Sequence, residues 1–307
     1  MANVPQHAPA SSRFQMTGYD YLLYAGLLWG WSTSWYAIRL QLGEVAPEVS
    51  VFWRFLLTAP LMALLSRGRG ESLAIPLNQH GWLALTGILM FSTNFILFYT
   101  AGLYLTSGLL AVIFSLASIL NLTFGALFAG ERFHSRMVIG ALVGVCGVAL
   151  MFHPELIRLE ADARTAIGAG LAVAGTLCFT SGNQVSALLQ RRGHRVLPTA
   201  SWGMAYGAFW SAGLSLVGGR AFVLPLTPTY LGSLAFLILS ATILAFFTYL
   251  TLIGRIGAAR ASYATVIFPV IALLISTLLE GYRWSLPAVA GLVLALAGNL
   301  LVLKREG

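Results

Sequence analysis

The sequence predicts an all-α, multipass membrane protein in which ten transmembrane helices form a 5+5 inverted repeat. Three observations predict this fold: an apolar composition, ten apolar stretches of membrane length, and an internal similarity at one fixed offset. Hydrophobic residues make up 58% of the 307 residues and charged residues only 9%, whereas about 25% of the residues of a soluble domain are charged. Burial in lipid is the simplest cause of this composition.

Ten apolar stretches approach the roughly 20 residues that a helix needs to cross about 30 Å of hydrocarbon. Core helices of a large soluble protein would need polar faces toward water, which these stretches lack. The predicted spans cover residues 21–40, 46–66, 81–103, 107–129, 136–152, 166–189, 197–218, 230–253, 256–279 and 286–303.

The second half of the chain is similar to the first at an offset of 149 residues. Residues 108–131 match residues 257–280, with glycine at both starts and glutamate at both ends, and Trp53 falls on Trp202. Because five crossings leave the chain on the other side of the bilayer, the second copy is expected to insert upside down. Inverted repeats of this kind are the frame of many secondary transporters.

The chain is accordingly divided into a tail, two repeats and a linker. We predict a disordered cytoplasmic tail at 1–19, a first five-helix repeat at 20–152, an external linker at 153–165 and a second five-helix repeat at 166–307. The tail is polar and lacks an apolar region before a cleavage site, so no cleavable signal peptide is expected.

Basic residues predict the orientation. With the N-terminus in the cytoplasm, most arginines outside the spans fall on the cytoplasmic side, and the opposite loops hold only Arg158, Arg164, Arg220 and Arg283. The positive-inside rule then places both termini in the cytoplasm of a bacterial inner membrane. This topology explains the net charge of +8. The basic clusters are short, so no nucleic-acid partner is expected.

Several segments resemble a known family. LLWGWSTSWYAIRL (27–40), PEVSVFWRFLLTAPLMALL (47–65), ALFAGERFHSRMVIGALVGVCGVALM (126–151) and GAARASYATVIFPVIALLISTLLEG (257–281) are similar to EamA-type members of the drug/metabolite transporter superfamily. The resemblance covers residues 20–304 and implies a ten-helix carrier, often an exporter of metabolites such as amino acids, with a central cavity between its halves. One departure is that Pro269 of the second copy is matched by Leu120 in the first.

Charged residues deep in the membrane are costly and usually functional. Arg54 is the clearest of them, since it lies eight residues after Ala46, about 12 Å into its helix. It could hold a substrate carboxylate or organise a gate, or instead direct its guanidinium outward or to carbonyls of another helix. No Asp or Glu lies near the middle of a predicted span, which favours facilitated diffusion or exchange over tight proton coupling.

Neutral polar and aromatic residues at mid-span are the candidates for a substrate site, because a ligand pocket is mostly apolar with a few polar anchors. The alternative is that Ser, Thr and Asn join helices to one another. The predicted cavity residues are Trp35, Asn94, Tyr99, Ser118, Thr180 and Tyr263. Glu131 and Glu280, which lie at equivalent turns, are candidates for gates or for helix caps.

These features predict a membrane carrier that exports small metabolites, with neutral or aromatic amino acids as the leading substrates. The alternatives are a carrier of the same superfamily for drugs or for other metabolites such as nucleotide sugars, and a membrane scaffold without transport activity. An enzyme is not expected, because the sequence holds no acid/base or nucleophile constellation and no metal-ligand spacing. We expect no cofactor, a small-molecule substrate and the lipid bilayer as partners, and a chain compatible with a monomer.

Overall fold

The computed structural model describes residues 16–129, 135–151, 163–256, 261 and 263–303, and these residues form ten helices and no strand. Five of the helices, α2, α3, α4, α6 and α8, are long and apolar enough to cross a membrane, judged by length and composition. The bounds are α1 Gly18–Arg39, α2 Pro47–Gly68, α3 Leu77–Ala101, α4 Ser107–Ser115 and Ala117–Ala129, α5 Ser135–Met151, α6 Ala163–Arg191, α7 Val196–Val217, α8 Pro228–Ile238, Leu239–Leu244 and Ala245–Ile256, α9 Ala264–Leu279, and α10 Leu286–Leu303.

The helix bounds reproduce the offset of 149 residues. Adding 149 to the bounds of α2, Pro47–Gly68, gives 196–217, which are the bounds of α7. Helices α3 and α8 each contain a wider, π-helical turn, at Leu89–Thr93 and at Leu239–Leu244, and these turns follow the same offset closely. The repeat predicted from the sequence is therefore present at the level of individual turns.

Local sequence signals set the helix ends. Thr17 forms a capping box with Asp20, which satisfies backbone donors at the start of α1. Pro47 opens α2 as the first helical residue, a position that needs no N–H donor. Gly70 and Gly219, also 149 residues apart, lie just beyond α2 and α7 with φ angles of 72° and 61°, a left-handed conformation that favours glycine.

The equivalent helices α5 and α10 pack tightly and run in opposite directions. Gly144 lies against Gly298, and Gly147, further along α5, lies against Gly291, which comes earlier in α10. Small residues of this kind let two helix backbones approach closely in a membrane. Because α5 and α10 hold the same place in their repeats, their antiparallel packing means that the second repeat is inverted relative to the first. The predicted fold class is confirmed.

Large apolar side chains face outward along the helices. On α5, for example, Ile139, Leu142 and Val145 are all more than half exposed. A soluble monomer rarely exposes contiguous apolar surface of this extent. Lipid covers such a surface without cost, in keeping with a multipass membrane protein.

Three predicted boundaries differ from the structure. The ninth span was predicted from residue 256, but Ile256 ends α8 and α9 begins at Ala264. Residues 257–263 are mostly small or apolar, with Arg260 and Ser262 among them, so hydropathy marks the helix end only to within several residues. Helix α3 begins at Leu77 and α6 at Ala163, inside the range predicted as linker. Most of that linker, and Glu131, lie outside the described residues.

Candidate functional site: a central cavity

A cavity of about 430 Å³ lies between the two repeats. Helices α1 to α4 and α6 to α9 line it, whereas the lining contains no residue of α5 or α10, which pack against each other. The volume falls in the range of small-molecule sites. Both π-helical turns reach the cavity, through Met90 and Phe91 in α3 and through Ala241 and Thr242 in α8.

Aromatic rings form one wall of the cavity. The ring centroid of Trp35 lies 5.1 Å from that of Phe98 and 5.4 Å from that of Phe114. Phe114 in turn lies 4.8 Å from Phe179 and 6.2 Å from Phe268. These rings come from five helices and meet edge-on or tilted, an arrangement that aromatic pairs favour. The wall offers contact area to an apolar or aromatic substrate.

Three of the six predicted cavity residues line this cavity. Trp35 belongs to the aromatic wall, and the Ser118 hydroxyl donates a hydrogen bond to Oγ1 of Thr265 at 3.1 Å, joining α4 to α9. Asn94 is 1% exposed, and its Oδ1 atom has no hydrogen-bond partner in the described structure. An acceptor of this kind is available to a donor on a bound molecule.

The other three predicted residues lie away from the cavity surface. The Tyr99 hydroxyl donates to Oε1 of Gln41 at 2.7 Å, so this ring is turned toward the end of α1. The Thr180 hydroxyl returns to the carbonyl of Thr176 within α6 at 2.9 Å, a bond that threonine commonly makes inside helices. Tyr263 precedes the first turn of α9. Mid-span depth alone does not reveal which side of a helix faces a cavity.

Arg54 lines the cavity with its charge buried. The residue is 4% exposed, so its guanidinium does not extend to the membrane surface. Its Nη2 atom donates to Oγ1 of Thr242 at 3.4 Å, and the guanidinium lies 4.5 Å from the ring centroid of Phe95 and 5.2 Å from that of Phe55. The Nε and Nη1 atoms have no hydrogen-bond partner in the described structure.

Amide side chains line the cavity toward the end of α6. Nδ2 of Asn183 donates to Oδ1 of Asn121 at 3.3 Å, and Nε2 of Gln184 donates to the Asn121 carbonyl at 2.9 Å, so α6 is joined to α4. The lining continues to Gln190, an exposed residue at the end of α6. We call this side of the bundle the Gln190 end.

The opposite side is closed by a buried carboxylate. Oε2 of Glu280 accepts hydrogen bonds from the backbone N–H of Ser107 at 2.9 Å, from the Ser107 hydroxyl at 2.7 Å and from the Ser276 hydroxyl. Oε1 lies 3.6 Å from Nε of Arg39. These four residues, here called the Glu280 cluster, join α1, α4 and α9. Glu280 is thus a cap for α4 and also a tie between helices.

A second cavity of about 550 Å³ lies on the far side of this closure. Its lining includes Tyr36, Arg39, Tyr104 and Glu280. The central cavity, in contrast, is lined on α1 by Trp31, Ser34, Trp35 and Ile38. The Glu280 cluster therefore separates a central compartment from an outer one.

At the Gln190 end, an ion pair ties α1 to α8. Nε of Arg255 lies 2.5 Å from Oδ1 of Asp20, just before the apolar span, and the Thr17 hydroxyl donates to Oδ2 at 2.6 Å. Hydrogen bonds from Arg255 and Thr17 hold the pKa of the Asp20 carboxyl far below its usual range. The carboxylate stays ionised at physiological pH. In the described part of the chain, no group of three His, Cys, Asp or Glu residues could hold a metal ion.

The fold and the cavity define a multipass membrane transporter built from two inverted repeats. The sequence matches the EamA-like transporter family twice, over residues 16–153 and 166–304. The chain therefore belongs to the EamA-like transporter family, as the resemblance of its segments predicted. A transporter rather than an enzyme follows from this membership.

Curated relatives are similar over most of their length. Protein PagO of Salmonella typhimurium is 25% identical over 287 residues, which cover 90% of this chain and 92% of that protein. A protein of Escherichia coli named as a probable amino-acid metabolite efflux pump is 24% identical over 276 residues, covering 87% and 89%. A solved crystal structure with 18% identity covers 93% of this chain and 96% of its own, with a TM-score of 0.64. That likeness supports the fold.

Proposed function

We propose that this protein exports small metabolites across the bacterial inner membrane, with neutral or aromatic amino acids as its leading substrates. The observation that carries the proposal is the central cavity, because it combines an aromatic wall with few polar anchors and extends to the exposed Gln190. The relative named as a probable amino-acid metabolite efflux pump supports the same substrate class. Transport then proceeds by alternating opening of the two ends.

The proposal includes an orientation. Arginines such as Arg67, Arg69, Arg191 and Arg192 lie at the Gln190 end, which the positive-inside rule assigns to the cytoplasm. Both termini are then cytoplasmic, and the cavity faces the side from which an exporter loads its substrate. Labelling with an impermeant thiol reagent tests this: in whole cells Val223→Cys should react and Arg191→Cys should not. The reverse pattern would contradict the orientation.

The transport mode is facilitated diffusion or exchange. Among the described residues that line the cavity, none is Asp, Glu or His, so a proton relay through the cavity has no group to carry it. Counterflow of labelled phenylalanine, leucine and threonine in proteoliposomes, without an imposed pH difference, tests both mode and substrate. Strict dependence on a proton gradient would refute the mode, and transport of drug-like or nucleotide-sugar probes alone would refute the substrate class.

Two phenylalanine-to-alanine variants, one in the cavity wall and one on the outer surface, test whether the wall contacts the substrate. Phe114→Ala removes a ring from the cavity wall and should slow phenylalanine counterflow about fivefold or more, since stacking and contact area of about 1 kcal/mol or more are lost. Phe209→Ala removes a ring that is 67% exposed on α7 and should leave the rate unchanged. Equal rates in the two variants would show that the wall does not contact the substrate.

A further inference from the structure

Among the described residues, Arg54 is a buried positive charge without a negative partner. Its contacts are a 3.4 Å hydrogen bond to the neutral Thr242, a polar contact with the neutral Tyr99 and two aromatic ring faces. No acidic residue is found among the described residues that line the cavity. A buried charge without an ionic partner is costly, and such groups in membranes usually serve a function.

Two of the three nitrogens of the Arg54 guanidinium keep unpartnered donors, and each of them shares a two-donor edge with Nη2. Nε and Nη1 have no hydrogen-bond partner. The residue is only 4% exposed and lines the cavity. A guanidinium presents its N–H groups in a planar fork that matches the two oxygens of a carboxylate. The neutral contacts hold the side chain. Because Nη2 donates one of its two N–H groups to Thr242, an edge made of Nη2 with either Nε or Nη1 remains for an anion.

The second repeat does not supply an equivalent charge. Position 203, which is 149 residues after Arg54, is a glycine, and a methyl group there would lie against the ring of Phe91. The two repeats are therefore similar in structure, but at this position only the first repeat contributes a charge to the cavity. Cation-binding groups are limited to neutral acceptors such as the unpartnered Oδ1 of Asn94 and to ring faces.

From this geometry we infer that the cavity selects carboxylates that carry an apolar, ring-sized body, with the carboxylate held by the guanidinium of Arg54. The inference rests on the carrier function proposed above and narrows its substrate class. A carboxylate is required for binding, whereas an ammonium group is tolerated and not required. Aromatic amino acids and simple aryl carboxylates share this chemistry.

Three probes of similar shape separate the contributions of the two charged groups. Phenylalanine carries a carboxylate and an ammonium, 3-phenylpropionate carries only the carboxylate, and phenethylamine carries only the ammonium. Titration of each into the purified, full-length protein in detergent, followed by calorimetry, gives the affinities. We expect phenylalanine and 3-phenylpropionate to bind within about fivefold of each other, and phenethylamine at least tenfold more weakly. Equal affinity for phenylalanine and phenethylamine, or no binding of either carboxylate to cooperatively folded protein, would overturn the inference.

Two substitutions test the residue. Arg54→Gln should weaken both carboxylates at least tenfold, and Arg54→Lys should give an intermediate loss because it keeps the charge without the fork. The control is Arg69→Gln, since Arg69 also lies over a ring, that of Phe247 at 5.1 Å, but is exposed and outside the cavity. Unchanged carboxylate affinities in Arg54→Gln would refute the assignment.

Thermal unfolding distinguishes a binding role from a structural one. If Arg54 mainly ties α2 to α8, Arg54→Gln lowers the Tm of the ligand-free protein. If its charge is held for a ligand, removing an uncompensated buried charge leaves the Tm unchanged or raises it, and this is the expected result. A markedly lower Tm would refute the ligand role.

The outcomes also separate this inference from the proposed function. Phenylalanine counterflow that is equal in wild type and Arg54→Gln refutes the role of Arg54 and leaves the exporter intact. Binding of 3-phenylpropionate without any amino-acid transport refutes the amino-acid substrate and leaves the carboxylate selectivity intact.

Discussion

The two ends of the central cavity are equivalent in the repeat but differ in chemistry. At the closed end, Arg39, Ser107, Ser276 and Glu280 meet around one carboxylate. The positions related to them by the 149-residue offset hold Leu188, Ile256, Leu127 and Glu131, of which Glu131 lies outside the described residues. Only the glutamate is common to both sets.

The helical framework of the transporter is repeated, whereas the interactions that close one end of the cavity are not. The helix bounds repeat almost residue for residue, as α2 and α7 demonstrate. The hydroxyl donors around Glu280, in contrast, are not repeated: Ser107 of α4 corresponds to Ile256, and Ser276 of α9 corresponds to Leu127. An inverted repeat can therefore close its two ends with different interactions, and the two closed states need not be equally stable.

The largest expected effect tests the closed end directly. Glu280→Gln removes the negative charge from a cluster of three donors, and hydrogen bonds to charged groups contribute about 1.5–3 kcal/mol each. We expect the balance between closed and open to shift by about tenfold or more. The measurement is the maleimide labelling rate of Ser34→Cys in the cavity, with reagent added from the Glu280 end and Cys146 and Cys178 replaced.

An ion pair at the same end provides the matched control. Nε of Arg220 lies 3.3 Å from Oε1 of Glu48, and the Arg220 side chain is 58% exposed. Exposed pairs of this kind contribute about 0–1 kcal/mol. Glu48→Gln should therefore leave the labelling rate nearly unchanged. If both glutamine variants labelled at the same rate, charge at this end in general, and not the Glu280 cluster, would govern closure.

A smaller effect is expected from the hydroxyl of Ser276. This hydroxyl accepts the Gly108 N–H at 2.8 Å and donates to Glu280, so it joins α9 to the start of α4. Ser276→Ala should raise the same labelling rate about fivefold, because Oε2 of Glu280 keeps its two bonds from Ser107 and the net loss is about 1 kcal/mol. Thr277→Val is the control, since its hydroxyl donates within α9 to the Leu273 carbonyl. A larger effect from Thr277→Val than from Ser276→Ala would contradict this account of the closure.

The smallest effect is expected from Arg39. Its Nε atom lies 3.6 Å from Oε1 of Glu280, and its side chain is 47% exposed, so solvent screens the pair. Arg39→Leu, which gives the first repeat the residue found at position 188, should change the labelling rate about twofold or less. The change should shrink further at 0.5 M salt. An effect as large as that of Glu280→Gln would mean that the ion pair closes this end.

The fold was predictable because two of its features are visible in a single sequence: the apolar stretches that lipid requires and the internal repeat. The length of the apolar stretches predicted the number of helices. The offset predicted the inversion, which the contacts of Gly144 with Gly298 and of Gly147 with Gly291 confirm. Helix ends where small and apolar residues dominate the connection, as between Ile256 and Ala264, were not predictable to the residue.

The site was predictable in part. Arg54 and Trp35 could be selected from the sequence because a charge or an indole at mid-span is uncommon. Both residues line the cavity. Phe98 and Phe114 were missed because phenylalanine suits lipid as well as a cavity wall, and nothing in the sequence separates them from the exposed Phe209. Cavity orientation depends on packing between helices distant in the chain.

The π-helical turns of α3 and α8 have a mechanical consequence. A π-helical turn holds one residue more than an α-helical turn, so the segments before and after it are rotated by about 100° relative to a continuous α-helix. Deleting one residue within Leu89–Thr93 would restore the regular period and swing Asn94 off the cavity wall. The extra residue in each repeat thus rotates one segment of its helix relative to the other. In α3, this rotation determines which side chains of the segment after Thr93 face a solute in the cavity.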